Sequence, residues 1–86
     1  MLSIIQKLKN KVVARLLDEV YVEKINNPID KRVAKLEYKG RKAYIQERKG
    51  NYVLYLDHGE YGFVESGPIY SSYEEAEEGG KDILKG

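Results

Sequence analysis

The sequence predicts one α+β domain over residues 1–86, with an N-terminal amphipathic helix, an antiparallel β-meander of three to four strands and a short C-terminal helix. Three observations predict this class. Apolar residues recur at helical spacing before residue 20, alternating apolar and polar residues with glycine-containing turns fill the middle, and Ser72 precedes a second helical segment. A chain of 86 residues buries one modest core, so a single domain is expected.

Composition narrows the classes of function. The chain has no cysteine, which excludes disulfides, thiolate nucleophiles and cysteine-based zinc sites, and a cytoplasmic location is expected. The apolar N-terminal residues are followed directly by Lys7, Lys9 and Lys11. No apolar run in the sequence approaches the roughly 20 residues of a membrane span. We therefore expect neither a signal peptide nor a membrane partner.

The charge is divided unevenly along the chain. Residues 1–50 contain thirteen Lys or Arg and six Asp or Glu, a net charge of +7, whereas residues 51–86 contain two and eight, a net charge of −6. Such asymmetry indicates a nucleic-acid partner or self-association. The alternative is that the two halves neutralise each other within the fold.

The first predicted element is a helix over about residues 3–19. Ser3 and Gln6 have the spacing of a capping box, in which each side chain binds a backbone N–H that the first helical turn leaves unpaired. Its basic side is either a phosphate-binding surface or simply solvated. The apolar stripe comprises Leu2, Ile5, Leu8, Val12 and Leu16, and the opposite side carries Lys7, Lys11 and Arg15.

A short edge strand and a turn follow this helix. Residues 21–25 have the composition of a strand, and Asn26-Asn27-Pro28 has that of a turn. The next stretch is ambiguous. Asp30 can cap a helical turn through Ala34, but the alternation from residue 33 to 38 favours a strand that enters a hairpin.

Turn spacing predicts the pairing of the meander. Two-residue turns at Lys39-Gly40, Gly50-Asn51 and His58-Gly59 give mutually consistent registers, although a three-residue loop over residues 49–51 competes with the second. A slip of one residue would exchange the faces of every later strand. The predicted core face carries Ala34, Leu36, Tyr38, Ala43, Ile45, Tyr52, Leu54, Leu56, Tyr61 and Phe63. The other face carries Lys35, Glu37, Lys42, Tyr44, Gln46, Arg48, Val53, Tyr55, Asp57, Gly62 and Val64.

Gly67-Pro68 is expected to end the meander, and a short helix is expected to begin after Ser72. Ser72 and Glu75 form a second capping box. Gly79-Gly80 should fray or break this helix, because each glycine costs about 1 kcal/mol relative to alanine.

Residues suited to catalysis or metal binding are few, so we expect no enzyme activity and no cofactor. His58 is the one histidine, at a predicted turn, and a metal site needs three or four convergent ligands. The glutamates of residues 74–78 do not specify a close pair on a helix, and no phosphate-loop motif occurs.

The predicted binding site is therefore the second face of the sheet. Aromatic rings can stack on bases while Lys and Arg contact phosphates, so this face predicts nucleic-acid binding. The rival hypothesis is that it binds another protein or forms a homodimer, or that the acidic C-terminal helix binds a partner. The candidate nucleic-acid-binding residues are Lys35, Lys42, Tyr44, Arg48, Lys49 and Tyr55.

One resemblance supports the nucleic-acid hypothesis. The sequence YIQERKGNYVLY over residues 44–55, Gly67-Pro68, and SYEEA over residues 72–76 resemble the N-terminal arm-type DNA-binding module of tyrosine recombinases, archaeal viral integrases in particular. The resemblance covers about residues 43–78. It implies a three-stranded sheet followed by a helix, with Arg48 and Lys49 on the DNA backbone and the two tyrosines of the candidate site on the sheet surface.

Overall fold

The computed structural model describes Ala14 and residues 16–86, which form an α+β domain with a five-stranded antiparallel sheet in the order β1-β2-β3-β4-β5. One helix, α1, follows the sheet, and a 3₁₀ turn precedes β5. The elements are β1 (Tyr21–Lys24), β2 (Arg32–Tyr38), β3 (Arg41–Arg48), β4 (Asn51–Asp57), the 3₁₀ turn (Gly59–Tyr61), β5 (Phe63–Tyr70) and α1 (Tyr73–Lys85).

The predicted count of three to four strands was wrong, because both ends of the meander extend further. At one end, β1 pairs with β2 along its whole length, from Tyr21 opposite Glu37 to Lys24 opposite Ala34. At the other, β5 continues through Gly67-Pro68, which we had expected to end the sheet. An edge strand tolerates proline, and the pairing of β4 with β5 shifts register there.

The predicted helix over residues 3–19 falls largely on residues 1–13 and 15, which lie outside the described residues. No helix before β1 is among the elements of the described part; Ala14 and Leu16 have helical backbone but residues 17 and 18 form a turn, so the predicted end at residue 19 was wrong. Leu17 and Asp18 form a turn instead, with a φ of 56° at Asp18. The Asp18 carboxylate accepts a hydrogen bond of 2.7 Å from the Tyr38 hydroxyl and lies 3.3 Å from Lys39 Nζ, and these contacts hold the turn against the sheet.

The turn between β2 and β3 is the predicted two-residue turn at Lys39-Gly40. Its φ values are 49° and 81°, and positive φ at both central residues is the geometry that matches the twist of a hairpin. Leu36 therefore faces Ala43, as predicted.

The turn between β3 and β4 lies one residue earlier than predicted. Lys49 and Gly50, with φ values of 51° and 83°, form it, and Asn51 is the first residue of β4. Ile45 consequently faces Leu54, two residues from the predicted partner. Because side chains alternate along a strand, a shift of two residues leaves the predicted faces of β4 unchanged.

The connection to β5 differs in kind from the prediction. In place of a two-residue turn at His58-Gly59, residues 58–62 form a five-residue loop that closes with Asp57 opposite Phe63. The loop is stabilised by a 2.8 Å hydrogen bond from the Gly59 N–H to the Asp57 carboxylate. The register of β5 against β4 differs from the predicted one by an odd number of residues. Each side chain of β5 therefore lies on the face opposite to the predicted one. The residues with wrongly predicted placement are Tyr61, Gly62, Phe63 and Val64.

The helix α1 packs on one face of the sheet and closes the core. Ser72 caps it by accepting a hydrogen bond of 3.2 Å from the Glu75 N–H. Glu75 reaches back to Ser71, one residue earlier than a capping box predicts. At the other end, Arg41 Nη1 donates to the Leu84 carbonyl at 2.7 Å. The buried core comprises Val20, Ala34, Leu36, Ala43, Ile45, Leu54, Ala76 and Leu84.

Gly79-Gly80 does not break α1, contrary to our expectation, because both glycines lie where the helix approaches the sheet. A Cβ atom at Gly80 would lie 3.1 Å from Leu36 Cδ2 and 3.2 Å from Leu54 Cδ1. At Gly79 it would lie only 2.2 Å from Tyr70 Oη. The packing gained by this close approach offsets the poor helix propensity of glycine.

No helix in the described part of the chain is long and apolar enough to cross a membrane.

Replacing Gly79 tests the close approach. Alanine favours a helix by about 1 kcal/mol over glycine, so an unconstrained site would be stabilised. We expect Gly79→Ala instead to lower the free energy of unfolding by about 1–3 kcal/mol, the usual cost of overpacking, because the new Cβ meets Cζ of Tyr70 at 2.6 Å. Urea denaturation measures this change in the free energy of unfolding. Glu78→Ala, at the exposed neighbouring position, is the control and should change stability little. A Gly79→Ala protein as stable as the wild type would contradict the tight packing.

Candidate partner-binding face

The face of the sheet opposite α1, here called the outer face, is the candidate site. Strand pairing aligns its side chains in rows across the sheet, and one row runs from Glu23 through Lys35, Tyr44 and Tyr55 to Glu65. The outer face comprises Tyr21, Glu23, Arg32, Lys35, Glu37, Lys42, Tyr44, Gln46, Arg48, Val53, Tyr55, Asp57, Phe63 and Glu65.

The six predicted site residues lie in β2, β3 and β4 or in the turn that joins β3 to β4. Five of them lie on the outer face itself, and Lys49 lies in the turn between β3 and β4. The four cationic side chains are exposed, whereas Tyr44 and Tyr55 are half-buried. The placement of the five on the outer face agrees with the alternation that predicted it, and the role of all six in binding stays a prediction.

Three aromatic rings form the centre of the outer face, and we call Tyr44, Tyr55 and Phe63 the aromatic cluster. The rings of Tyr44 and Tyr55 are stacked, with centroids 4.8 Å apart and planes inclined by 15°. Phe63 contacts Tyr44 at a centroid distance of 4.9 Å and a tilt of 53°, and remains 46% exposed. Ring contacts of this kind contribute about 0.5–1.5 kcal/mol beyond their buried area. The cluster is therefore fixed in place while part of its surface still faces solvent.

Val53 shows that the outer face has apolar packing of its own. It faces Gln46 on β3, on the side of the sheet away from α1, yet it is only 1% exposed. It is absent from the buried cluster beneath α1. This side of the sheet is thus more than a solvated layer of charges.

A guanidinium group lies at each end of the aromatic cluster. Arg32 Cζ is 5.9 Å from the centroid of Tyr44, a cation–π distance. Arg48 donates a hydrogen bond to the Tyr55 hydroxyl, and its Nη1 lies 3.7 Å from Glu65 Oε1. Both arginines are thus positioned by the rings that they contact.

Asp30 holds Arg32 in this position. Arg32 Nη2 donates to Asp30 Oδ2 at 2.8 Å and Nε donates to Oδ1 at 3.1 Å, a two-point contact that fixes the guanidinium plane. These bonds, together with the one from the Arg32 backbone N–H, hold the pKa of the Asp30 carboxyl below its usual value. Burial raises the pKa of Tyr44, with a further rise from Tyr55, and the nearby Arg32 opposes both.

The charges of the outer face are balanced. Its basic side chains are matched by as many acidic ones, and two of the basic side chains have an acidic residue directly opposite on the next strand: Lys35 faces Glu23 and Lys42 faces Glu37. Opposite charges at facing positions stabilise a sheet and reduce the field that a distant phosphate would feel. The basic members are Arg32, Lys35, Lys42 and Arg48, and the acidic members are Glu23, Glu37, Asp57 and Glu65.

Sequence reasoning missed three residues of this site. Phe63 was assigned to the core because the connection before β5 was taken as a two-residue turn. The pair Asp57 and Gly59, which makes a side-chain turn, was the signal for a longer loop. Arg32 and Glu65 were missed because their roles depend on which side chains their neighbours bring close.

In the described part of the chain, the other titratable groups do not assemble into a second site. His58 is exposed in the loop before β5. Glu77 accepts a hydrogen bond from the Tyr73 hydroxyl at 2.9 Å and lies 3.7 Å from Lys81 Nζ. Both contacts are made within α1. Across residues 16–86, no three His, Cys, Asp or Glu side chains converge as a metal site requires.

Comparison with known proteins adds no family to this description. No family model matches the chain, and neither does any curated protein or solved structure. The resemblance of residues 43–78 to the arm-type module is untested by these comparisons and stays a prediction.

We predict that removing the Asp30 carboxylate changes how the stability of the protein depends on pH. The pKa of Asp30 is lower in the folded protein than in the unfolded chain, so the pair stabilises the fold above about pH 4, the ordinary carboxyl pKa, and that stability is lost as the pH falls. We expect Asp30→Asn to lower the melting temperature at pH 7 and to reduce the further loss between pH 7 and pH 3. Glu60→Gln, in an exposed loop, is the control. If the melting temperature of Asp30→Asn falls between pH 7 and pH 3 as much as that of the wild type, the ion pair contributes nothing to stability.

Proposed function

We propose that this chain is a non-enzymatic binding module that docks a protein partner on its outer face. The observation that carries the proposal is the aromatic cluster, whose three rings are locked by contacts with one another and with Arg48, yet are partly exposed. Tyrosine and arginine are enriched among the residues that contribute most to protein–protein affinity. Side chains already held in place lose little conformational freedom when they bind.

The balance of charge favours a protein over a nucleic acid. A phosphate backbone is attracted by unopposed cations, whereas Lys35 and Lys42 each face a carboxylate on the next strand. Stacking is restricted as well, because Tyr44 already contacts Tyr55 and Phe63. A partner protein can match a surface of mixed charge with complementary pairs and cover the rings between them.

Nucleic-acid binding is the second candidate, favoured by one observation. Three of the four predicted cations lie on the same face of the sheet as the predicted tyrosines, Lys49 lies in the turn after Arg48, and all four are exposed. The resemblance to the arm-type module points the same way. The two candidates differ in their dependence on salt, since phosphate contacts weaken steeply as the salt concentration rises.

The chain provides a matched pair of tyrosines for testing the protein-binding proposal. Tyr55 lies in the aromatic cluster, while Tyr61 is 85% exposed in the loop before β5. A protein that immobilised wild type retains from a cell lysate is purified, and its affinities for wild type, Tyr55→Ala and Tyr61→Ala are measured by calorimetry. We expect Tyr55→Ala to weaken its binding about 30-fold, the effect of losing about 2 kcal/mol at a central contact. Equal affinity of both variants would contradict docking on the cluster.

Fluorescence anisotropy with labelled mixed-sequence DNA and RNA decides between the candidates. If the protein-binding proposal holds, neither probe binds with a steep salt dependence between about 50 mM and 200 mM salt. Micromolar binding that is lost over this range, is weakened in Lys35→Gln and Lys42→Gln, and is unchanged in Lys81→Gln would instead establish the nucleic-acid function. Lys81 is a suitable control because it lies on α1, on the other side of the sheet.

A further inference from the structure

The outer edge of β5 concentrates exposed apolar side chains. β5 is the last strand in the sheet, and no described strand pairs with its outer edge. Seven large hydrophobic side chains in the described part of the chain are strongly exposed, and four of them lie within residues 61–69, so exposure is concentrated at this edge. These four are Tyr61 at 85%, Phe63 at 46%, Val64 at 43% and Ile69 at 61%.

The two edges of the sheet differ in their protection against pairing. β1 has only four residues, includes Glu23 and Lys24, and leads into the turn at Pro28. Short length, charge and proline are the usual means of keeping an edge strand from pairing with another chain. β5 has eight residues, no lysine or arginine, and one carboxylate, Glu65. Its irregularity lies around Gly67-Pro68, which leaves the segment 63–66 regular and unprotected.

We propose that residues 63–65 of β5 pair antiparallel with the same segment of a second copy, so that two sheets join into one of ten strands. A second copy suits this edge because two-fold pairing uses the unprotected edge of both chains and leaves both protected β1 edges outermost. Pairing of β5 with an unlike edge would leave another free β5 and would continue into a filament. The added strand also covers apolar side chains on both faces, since Phe63 lies on the outer face and Val64 on the side of α1.

Charge selects the register of this pairing. A two-fold axis perpendicular to the sheet keeps both α1 helices on one side of the joined sheet. Facing residues then lie on the same face, and the residue at the axis faces its own copy in the second chain. Centring on Glu65 would place two carboxylates opposite each other, which is unfavourable. Centring on Val64 instead places Val64 opposite itself and Phe63 opposite Glu65 of the second copy. Glu65 keeps Arg48 of its own chain at 3.7 Å in either case.

This pairing can be tested separately from the proposed function, although both involve Phe63. It uses the backbone edge of β5 and Val64, and it does not require the stacked rings of Tyr44 and Tyr55. Failure of one proposal therefore leaves the other standing, and Tyr55→Ala serves as a variant that should still dimerise.

The absence of cysteine makes single-cysteine crosslinking a direct test. Facing residues in an antiparallel pair have Cα atoms about 4.5–5.5 Å apart, within the range that a disulfide spans. We expect Val64→Cys to form a disulfide-linked dimer on mild oxidation at least about tenfold faster than Ile29→Cys, because pairing raises the effective thiol concentration. Ile29 is the control because it is 90% exposed and far from β5 in sequence. Equal rates would overturn the pairing, and faster crosslinking of Glu65→Cys would overturn the register.

Sedimentation equilibrium of the unmodified protein completes the test. We expect a concentration-dependent dimer, and we expect Val64→Lys to sediment as a monomer with an unchanged melting temperature, since Val64 is already 43% exposed. A wild type that stays monomeric at every concentration would overturn the proposal. Binding of an extended peptide to β5 without self-association would assign the edge to a foreign strand instead.

Discussion

Two hairpin turns determine which side chains of this protein meet. Lys39-Gly40 and Lys49-Gly50 both adopt positive φ at their two central residues, and each fixes the pairing of the strands that it joins. A register error of one residue in either turn would send the core side chains of the following strands to solvent. The burial of Ile45 and Leu54 and the stacking of the tyrosines on the other side thus depend on the same two turns.

The outer face combines two properties that are usually found apart. Cross-strand pairs of opposite charge are typical of a sheet surface that faces only water. Stacked rings with a guanidinium at each end, and a valine buried on the same side, are typical of a surface that contacts another molecule. The charged pairs keep the face soluble without giving it a net charge, so recognition depends on the shape and chemistry of the rings.

Alternation and turn chemistry predicted the middle of the sheet well. Each residue between Ala34 and Leu56 that was assigned to a face lies on that face, because the error in the second turn shifted the register by an even number of residues. Prediction failed at β5, where a side-chain turn at Asp57 lengthened the loop by an odd number. Five of the six site residues therefore lie on the predicted face and Lys49 lies in a turn, while Phe63, the third ring of the cluster, was assigned to the opposite side. The length of such a loop depends on contacts that form within the turn itself. The spacing of residues in the sequence does not show these contacts.

The glycines of α1 determine how the protein loses its structure. A helix of 13 residues is marginal alone in water, and Gly79 and Gly80 reduce its intrinsic stability by roughly 1 kcal/mol each. It is therefore helical only while it lies against Leu36 and Leu54, and those side chains are covered only while it is helical. The sheet and helix form one cooperative unit: no partly folded state retains α1 alone, and far-ultraviolet circular dichroism and tyrosine fluorescence should report a single transition.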